Sequence, residues 1–140
     1  MQQLELHAPI SALPALEDAW GLLEGLIEKE DSLFTRDEIE HNLCYDLMQL
    51  WTVTDERGVA AVAVTQFQQF GDILICAVIL LGGRGMSNWI HHMDDLEAWA
   101  LSRGASRMKI HGRDGWERRL SGYRKTSIVL SKELRHVVER

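Results

Sequence analysis

One stretch of the sequence indicates the fold more strongly than any other, and it reads Ile79-Leu80-Leu81-Gly82-Gly83-Arg84-Gly85-Met86-Ser87. The apolar run that ends at Leu81 predicts a buried strand, and the apolar spacing of residues 87–103 predicts an amphipathic helix. The glycines between them predict a turn whose backbone N–H groups point outward. Such amides, followed by the first turn of a helix, suit an anion such as a diphosphate. A tight connection that binds nothing explains the same residues equally well.

The rest of the chain predicts a mixed sheet with helices on both faces. We expect strands at residues 4–7, 50–54, 59–67, 73–81, 107–111 and 123–134, with a hairpin turn at residues 55–58. We expect helices at residues 11–30, capped by Ser11, from Thr35 onward, at 87–103 before Gly104, and at 114–120. Thr35-Arg36-Asp37-Glu38 is a capping box, and Leu47 is expected on the inner face of the helix that it starts. A helix between the strands at 73–81 and 107–111 makes those two strands parallel, whereas the hairpins before them are antiparallel. The predicted fold class is α/β, in a single domain over residues 1–140.

Composition and charge exclude several classes of protein. The chain has 140 residues, of which 46% are hydrophobic and 26% charged, as in a globular domain with its own core. A formal net charge of −6 argues against a general nucleic-acid binder and against binding to an anionic membrane surface. Cys44 and Cys76 lie far apart, so neither a disulfide framework nor a metal site is expected, and Cys76 within an apolar strand is expected in the core. We expect a cytoplasmic protein, because the N-terminus lacks the pattern of a signal peptide.

Two well-known phosphate-binding loops do not fit the glycine turn. A Walker loop has Lys followed by Ser or Thr after its last glycine, whereas Met86 and Ser87 follow Gly85 here. A dinucleotide-binding loop normally opens the first β–α–β unit of its domain, whereas this turn comes after about eighty residues. The anion site predicted here is therefore of another kind.

The order of elements and the glycine turn together resemble the GNAT superfamily of N-acetyltransferases. Its signature reads Gln/Arg-x-x-Gly-x-Gly/Ala. Gly85 matches the central glycine, Gly82 stands where the signature has Gln or Arg, and Ser87 replaces Gly/Ala. Gly122-Tyr123 matches the Gly-Phe/Tyr pair that opens the last strands of the superfamily. Residues 80–85 and 112–119 also resemble small GNAT-like proteins of bacteriophages and prophages, which places a phage-encoded chain in the host cytoplasm or in the virion.

The resemblance implies acetyl-CoA as the small-molecule cofactor and an amine, not identified by the sequence, as the acceptor. The acetyl group would pass to the amine by direct attack, without a covalent enzyme intermediate. Backbone groups of Ile79, Leu80 and Leu81 would bind the pantetheine arm. Backbone amides would hold the pyrophosphate, and the resemblance places them at Arg84, Gly85, Met86 and Ser87.

The catalytic groups are less well defined by the sequence. The short helix before Gly122 lacks the tyrosine that many GNAT enzymes use as an acid, so Tyr123 or Ser121 would have to replace it. His111 ends the strand after the long helix and can act as a base, because the pKa of histidine lies near neutral pH. A strand-end histidine bonded to the backbone is the alternative interpretation. The alternative function is a GNAT-fold phage protein without turnover that acts in virion assembly.

Residues 113–125 form a basic patch on an otherwise acidic protein. The patch begins at Arg113, ends at Lys125 and contains Trp116 beside Arg118 and Arg119. Tryptophan and arginine together are over-represented at protein interfaces. The patch can therefore meet the adenosine phosphate of CoA or an acidic protein partner, or it is a solvated face.

Overall fold

The sheet has five strands in chain order. The computed structural model describes residues 2–30, 32–112 and 115–135. Its strands are β1 (Gln3–His7), β2 (Gln49–Asp55), β3 (Gly58–Phe70), β4 (Ile73–Gly83) and β5 (Arg107–Ile110). Neighbours from β1 to β4 are antiparallel, and β5 runs parallel to β4. The predicted mixed sheet and its parallel crossover are confirmed.

Four helices lie between strands, and a fifth follows β5 within the described residues. They are α1 (Ala12–Lys29), α2 (Arg36–Cys44), α3 (Met86–Trp89), α4 (Met93–Ser102) and α5 (Trp116–Arg119). The helix predicted at 87–103 is interrupted by a 3-10 turn at Ile90–His92. Gly104 ends it with a φ of 97°, a left-handed conformation that glycine adopts readily. No helix within the described residues is long and apolar enough to cross a membrane.

Hydrophobic cores lie on both faces of the sheet. Helices α1 and α2 cover one face, where Leu16 and Leu23 pack with Leu80. Helix α4 covers the other face, where Leu96 packs with Leu81. Leu80 and Leu81 are consecutive residues of β4, so this strand is buried on both sides, as its unbroken apolar run predicts. This arrangement confirms the predicted helices on both faces.

Three local predictions are wrong. Residues 123–135 form no strand, and Val129 and Leu130 are exposed. A β-prone sequence forms a strand only where its backbone pairs with a neighbour, and no such neighbour lies beside this segment in the described chain. Ser11 does not cap α1, because its hydroxyl donates to the carbonyl of Ala8. Leu47 is exposed because α2 already ends at Cys44.

The predicted capping box at the start of α2 is confirmed and gives a stability prediction. The Thr35 hydroxyl accepts a hydrogen bond from the Glu38 amide at 3.2 Å, and the Glu38 carboxylate accepts one from the Thr35 amide at 3.3 Å. Thr35→Ala should therefore lower the free energy of unfolding by about 1 kcal/mol in a urea titration. Thr126→Ala changes an exposed threonine outside any helix and serves as the control. Equal losses in the two variants would contradict the role of the box.

Candidate functional site

Strand β4 extends further than predicted, because Gly82 and Gly83 belong to it. They pair with Val62 and Ala61 of β3. A side chain on Gly83 would lie 2.6 Å from the Cα atom of Ala61, so only glycine fits between the two strands. These two glycines therefore serve strand packing, and the turn itself starts at Arg84.

Arg84 is held by hydrogen bonds in three directions. Its amide donates to the carbonyl of Ala60 at 2.9 Å, and its carbonyl accepts from the indole N–H of Trp89 at 3.0 Å. Its guanidinium donates to both carboxylate oxygens of Asp55, at 3.0 and 2.8 Å. The prediction that Arg84 offers a free amide for a phosphate is wrong, because β3 already occupies that donor.

Asp55 is the last residue of β2, and its side chain lies next to this loop. It also accepts a hydrogen bond from the amide of Arg57 at 2.8 Å. The pKa of the Asp55 carboxyl lies below its usual value. The main cause is the pair of hydrogen bonds from Arg84, and the bond from the Arg57 amide adds to it. The contact therefore joins two charged groups at neutral pH.

Beyond Arg84, the loop offers free amides. Gly85 has φ 63° and ψ 53°, and its carbonyl accepts from the amide of Asn88 at 2.9 Å. Met86 and Ser87 are the first residues of α3, whose amides have no acceptor in their own helix. Elsewhere in the described residues, no carbonyl accepts from these two amides. The segment from Gly85 to Ser87 therefore fits an anionic group such as a diphosphate.

One edge of β4 is open beside this loop. Strand β5 pairs with β4 only as far as Val78, whose carbonyl also accepts from the amide of His111 at 2.9 Å. Within the described part of the chain, the only strand beside residues 79–83 of β4 is β3. The pairing with β3 has a bulge at Ile79, since Val78 and Leu80 face consecutive residues of β3. Backbone groups on this edge are available to a ligand.

A cavity of about 1100 Å³ lies beside β5 and brings three predicted site residues together. Ile79, His111 and Tyr123 all contribute to its walls, together with Glu97. The side chains of Leu80 and Leu81 instead belong to the two cores. Residues 84–87 do not line this cavity, so the loop and the two candidate catalytic residues belong to separate parts of the site.

His111 is suited to accept a proton at neutral pH. The pKa of His111 lies below its ordinary value of 6.5. The main cause is partial burial of the ring, and the positive charge of Lys109 adds to it. Its amide donates to the carbonyl of Val78, and this bond fixes the backbone from which the ring projects. The imidazole is therefore neutral at pH 7 and can act as a base.

Tyr123 has a partner that the sequence did not indicate. Its hydroxyl donates to the carboxylate of Glu97 at 2.8 Å. The pKa of the Tyr123 phenol lies well above its usual value, mainly because the phenol is partly buried and also because the Glu97 carboxylate accepts its proton. The phenol therefore keeps its proton throughout the neutral range. Glu97 and Tyr123 are 26 residues apart, so no local pattern pointed to the pair.

The residues of the basic patch and Cys76 differ in how far they are buried. Trp116 is half-buried and packs against the core beneath α4, while Arg118 and Arg119 are exposed. Arg113 lies outside the described residues. Cys76 is fully buried, as predicted for a core residue, and burial raises the pKa of its thiol to about 11.

Comparisons with known proteins bear on the fold. No model of a protein family matches the chain, and no curated protein sequence matches it. An aminoglycoside acetyltransferase from an uncultured soil metagenomic sample aligns with a TM-score of 0.71 at 11% identity, over 96% of this chain and 97% of that one. A ribosomal-protein-alanine N-acetyltransferase from Brucella melitensis biovar Abortus 2308 aligns with a TM-score of 0.69 at 11% identity, over 94% and 99%.

A third solved structure contains the cofactor that the sequence resemblance implies. It is a predicted acetyltransferase from Clostridium acetobutylicum with acetyl-CoA, similar at a TM-score of 0.63 and 16% identity over 95% of this chain and 96% of that one. All three alignments span nearly the whole of both chains. The chain therefore has the α/β GNAT-like fold of N-acetyltransferases.

Proposed function

We propose that the protein transfers an acetyl group from acetyl-CoA to an amine. The observation that carries this proposal is the open edge of β4, which leads from Val78 directly to the free amides of Met86 and Ser87. In a GNAT-like fold, such an edge and such amides suit a ligand whose long arm is joined to a diphosphate. The solved structure with acetyl-CoA supports the same cofactor.

Each part of the cofactor has candidate residues. Backbone groups of Ile79, Leu80 and Leu81 would bind the pantetheine arm along the open edge. The amides of Gly85, Met86 and Ser87 would hold the pyrophosphate, while Arg84 supports the loop and makes no cofactor contact through its amide. When bound, acetyl-CoA supplies an acetyl group activated as a thioester.

His111 and Tyr123 are the candidate proton-transfer groups. An amine attacks a carbonyl only after it has lost its extra proton, and the neutral His111 imidazole can accept that proton. Tyr123 is the candidate acid for the departing thiolate, and its phenolic proton, which Glu97 accepts in this structure, would have to turn toward that thiolate. His111 and Tyr123 line the same cavity as Ile79, and this common lining supports their assignment beside the proposed cofactor arm.

The acceptor class is proposed from the similar structures. One of them is an aminoglycoside acetyltransferase solved with sisomicin, and another is a ribosomal-protein-alanine N-acetyltransferase. Both names indicate amine acceptors, one a small molecule and the other a protein. We therefore expect a primary amine as acceptor in this chain also.

The test is amine-dependent release of free thiol from acetyl-CoA. Purified protein is incubated with acetyl-CoA and either sisomicin or a peptide with an N-terminal alanine. We expect thiol release above background with at least one amine, and its loss in Gly85→Arg. Gly71→Arg is the matched control, because Gly71 has a similar φ of 59° but lies in the turn between β3 and β4. Absence of amine-dependent release in protein that binds acetyl-CoA would contradict turnover.

The alternative function, a GNAT-fold component in virion assembly, stays a prediction. It rests on the sequence resemblance to phage proteins, and the structures reported above are acetyltransferases. A protein partner at residues 113–125 also stays a prediction, and Arg118 and Arg119 are exposed there as such a contact would need.

A further inference from the structure

Asp55 and Arg84 connect two distant parts of the chain. Asp55 ends β2, and Arg84 follows β4, 29 residues later. Two parallel hydrogen bonds of 3.0 and 2.8 Å join the guanidinium to the carboxylate. The Asp55 side chain is only 15% exposed and that of Arg84 36%, so this paired geometry is more specific than that of an ordinary surface ion pair.

The contact fixes the residue from which the anion-binding loop starts. The Arg84 amide is attached to β3 through Ala60, and its carbonyl is attached to α3 through the indole of Trp89. The guanidinium adds an attachment to the end of β2. Met86 and Ser87 come only two and three residues later. The direction of their amides therefore depends on how Arg84 is held.

We propose that Asp55 and Arg84 are positioning residues of the acetyl-CoA site. Asp55 holds the guanidinium, and Arg84 in turn holds the loop in the conformation in which Met86 and Ser87 face a diphosphate. Both terminal nitrogens of the Arg84 guanidinium donate to Asp55, and we therefore assign this side chain to holding the loop and not to direct phosphate binding. This inference rests on the proposed function and adds to it two residues that the superfamily signature does not include.

Asp55→Asn separates this role from direct phosphate binding by Arg84. The variant removes the carboxylate charge with little change in shape, and CoA affinity is measured by calorimetry. If Arg84 positions the loop, CoA should bind about tenfold more weakly, since small displacements of binding groups are costly. If Arg84 instead binds phosphate, the freed guanidinium should leave CoA affinity unchanged or raise it, and the proposal would be overturned.

Two further variants separate positioning from general stability. Exchanging the charges, with Asp55→Arg and Arg84→Asp together, should bind CoA more tightly than either single variant, because the ion pair can form again. Glu17→Gln removes a comparable ion pair with Arg36 between α1 and α2 and should leave CoA affinity unchanged. Equal weakening in Glu17→Gln would show a nonspecific effect and contradict the proposal.

Hydrogen exchange gives a readout without cofactor. In Asp55→Asn the hydrogen-bonded amides of Arg84 and Asn88 should exchange faster than in the wild type, while the amides of α1 keep their rates. If the wild type binds CoA, and Asp55→Asn has the same CoA affinity and the same exchange rates as the wild type, only the positioning role fails. If the wild type does not bind CoA, the proposed function fails and the positioning role with it.

Discussion

Gly83→Ala is expected to lower the free energy of unfolding by about 3 kcal/mol, at the upper end of the range for overpacked positions. The added Cβ would lie 2.6 Å from the Cα atom of Ala61 and would collide with the carbonyl oxygen of Ala60. Both atoms belong to the backbone of β3, which is paired on both sides and cannot move aside independently. Urea unfolding followed by circular dichroism measures the loss.

Gly82→Ala is the matched control for this prediction. A Cβ on Gly82 would meet the Cδ2 atom of Leu26 at 2.5 Å, which is the end of a flexible side chain and can rotate away. The control should therefore lose less than about 1 kcal/mol, as for a tolerated change in a core. Equal losses in the two variants would show that backbone contact with β3 does not set the requirement for glycine.

His111→Gln is expected to lower kcat by about a hundredfold or more, the usual contribution of a general base. The KM for acetyl-CoA should change little, because the candidate diphosphate amides lie in another loop. His41→Gln, on the exposed surface of α2, should leave kcat unchanged. Unchanged kcat in His111→Gln, with acetyl transfer otherwise established, would remove His111 from the mechanism.

The pH dependence of the wild type gives a second measure of the same role. Because burial and Lys109 lower the pKa of His111, the ring should stay neutral below the ordinary histidine value of 6.5. The acid limb of kcat/KM should accordingly lie below pH 6.5 and disappear in His111→Gln. A limb at higher pH, or one that persists in the variant, would indicate another titrating group.

Much of the fold could be predicted because its signals are local. The unbroken apolar run before Gly82 indicates a strand buried on both sides, and β4 is such a strand. The residues Thr35 and Glu38 stand at the spacing of a capping box, and the box is present. The predicted turn between Asp55 and Gly58 likewise joins β2 and β3. In each of these cases, residues within a few positions decide the structure.

What could not be predicted depends on residues far apart in the sequence. The segment at 123–134 has the composition of a strand. A strand forms only where another strand lies beside it, and the local sequence does not show which segments are neighbours. The amide of Arg84 donates to the carbonyl of Ala60, which lies in β3 and not in the strand that leads into the loop. The partnership of Asp55 with Arg84 also has no local signature. The candidate loop was therefore found from the glycines, and its supports only from the structure.

Calorimetric titration with acetyl-CoA tests most directly whether this loop receives a diphosphate. We predict binding with a dissociation constant on the order of micromolar, about −8 kcal/mol. Gly85→Arg should abolish the heat while remaining folded, and Gly71→Arg should bind as the wild type does. No heat from folded wild-type protein at millimolar acetyl-CoA, or undiminished binding by Gly85→Arg, would contradict the account.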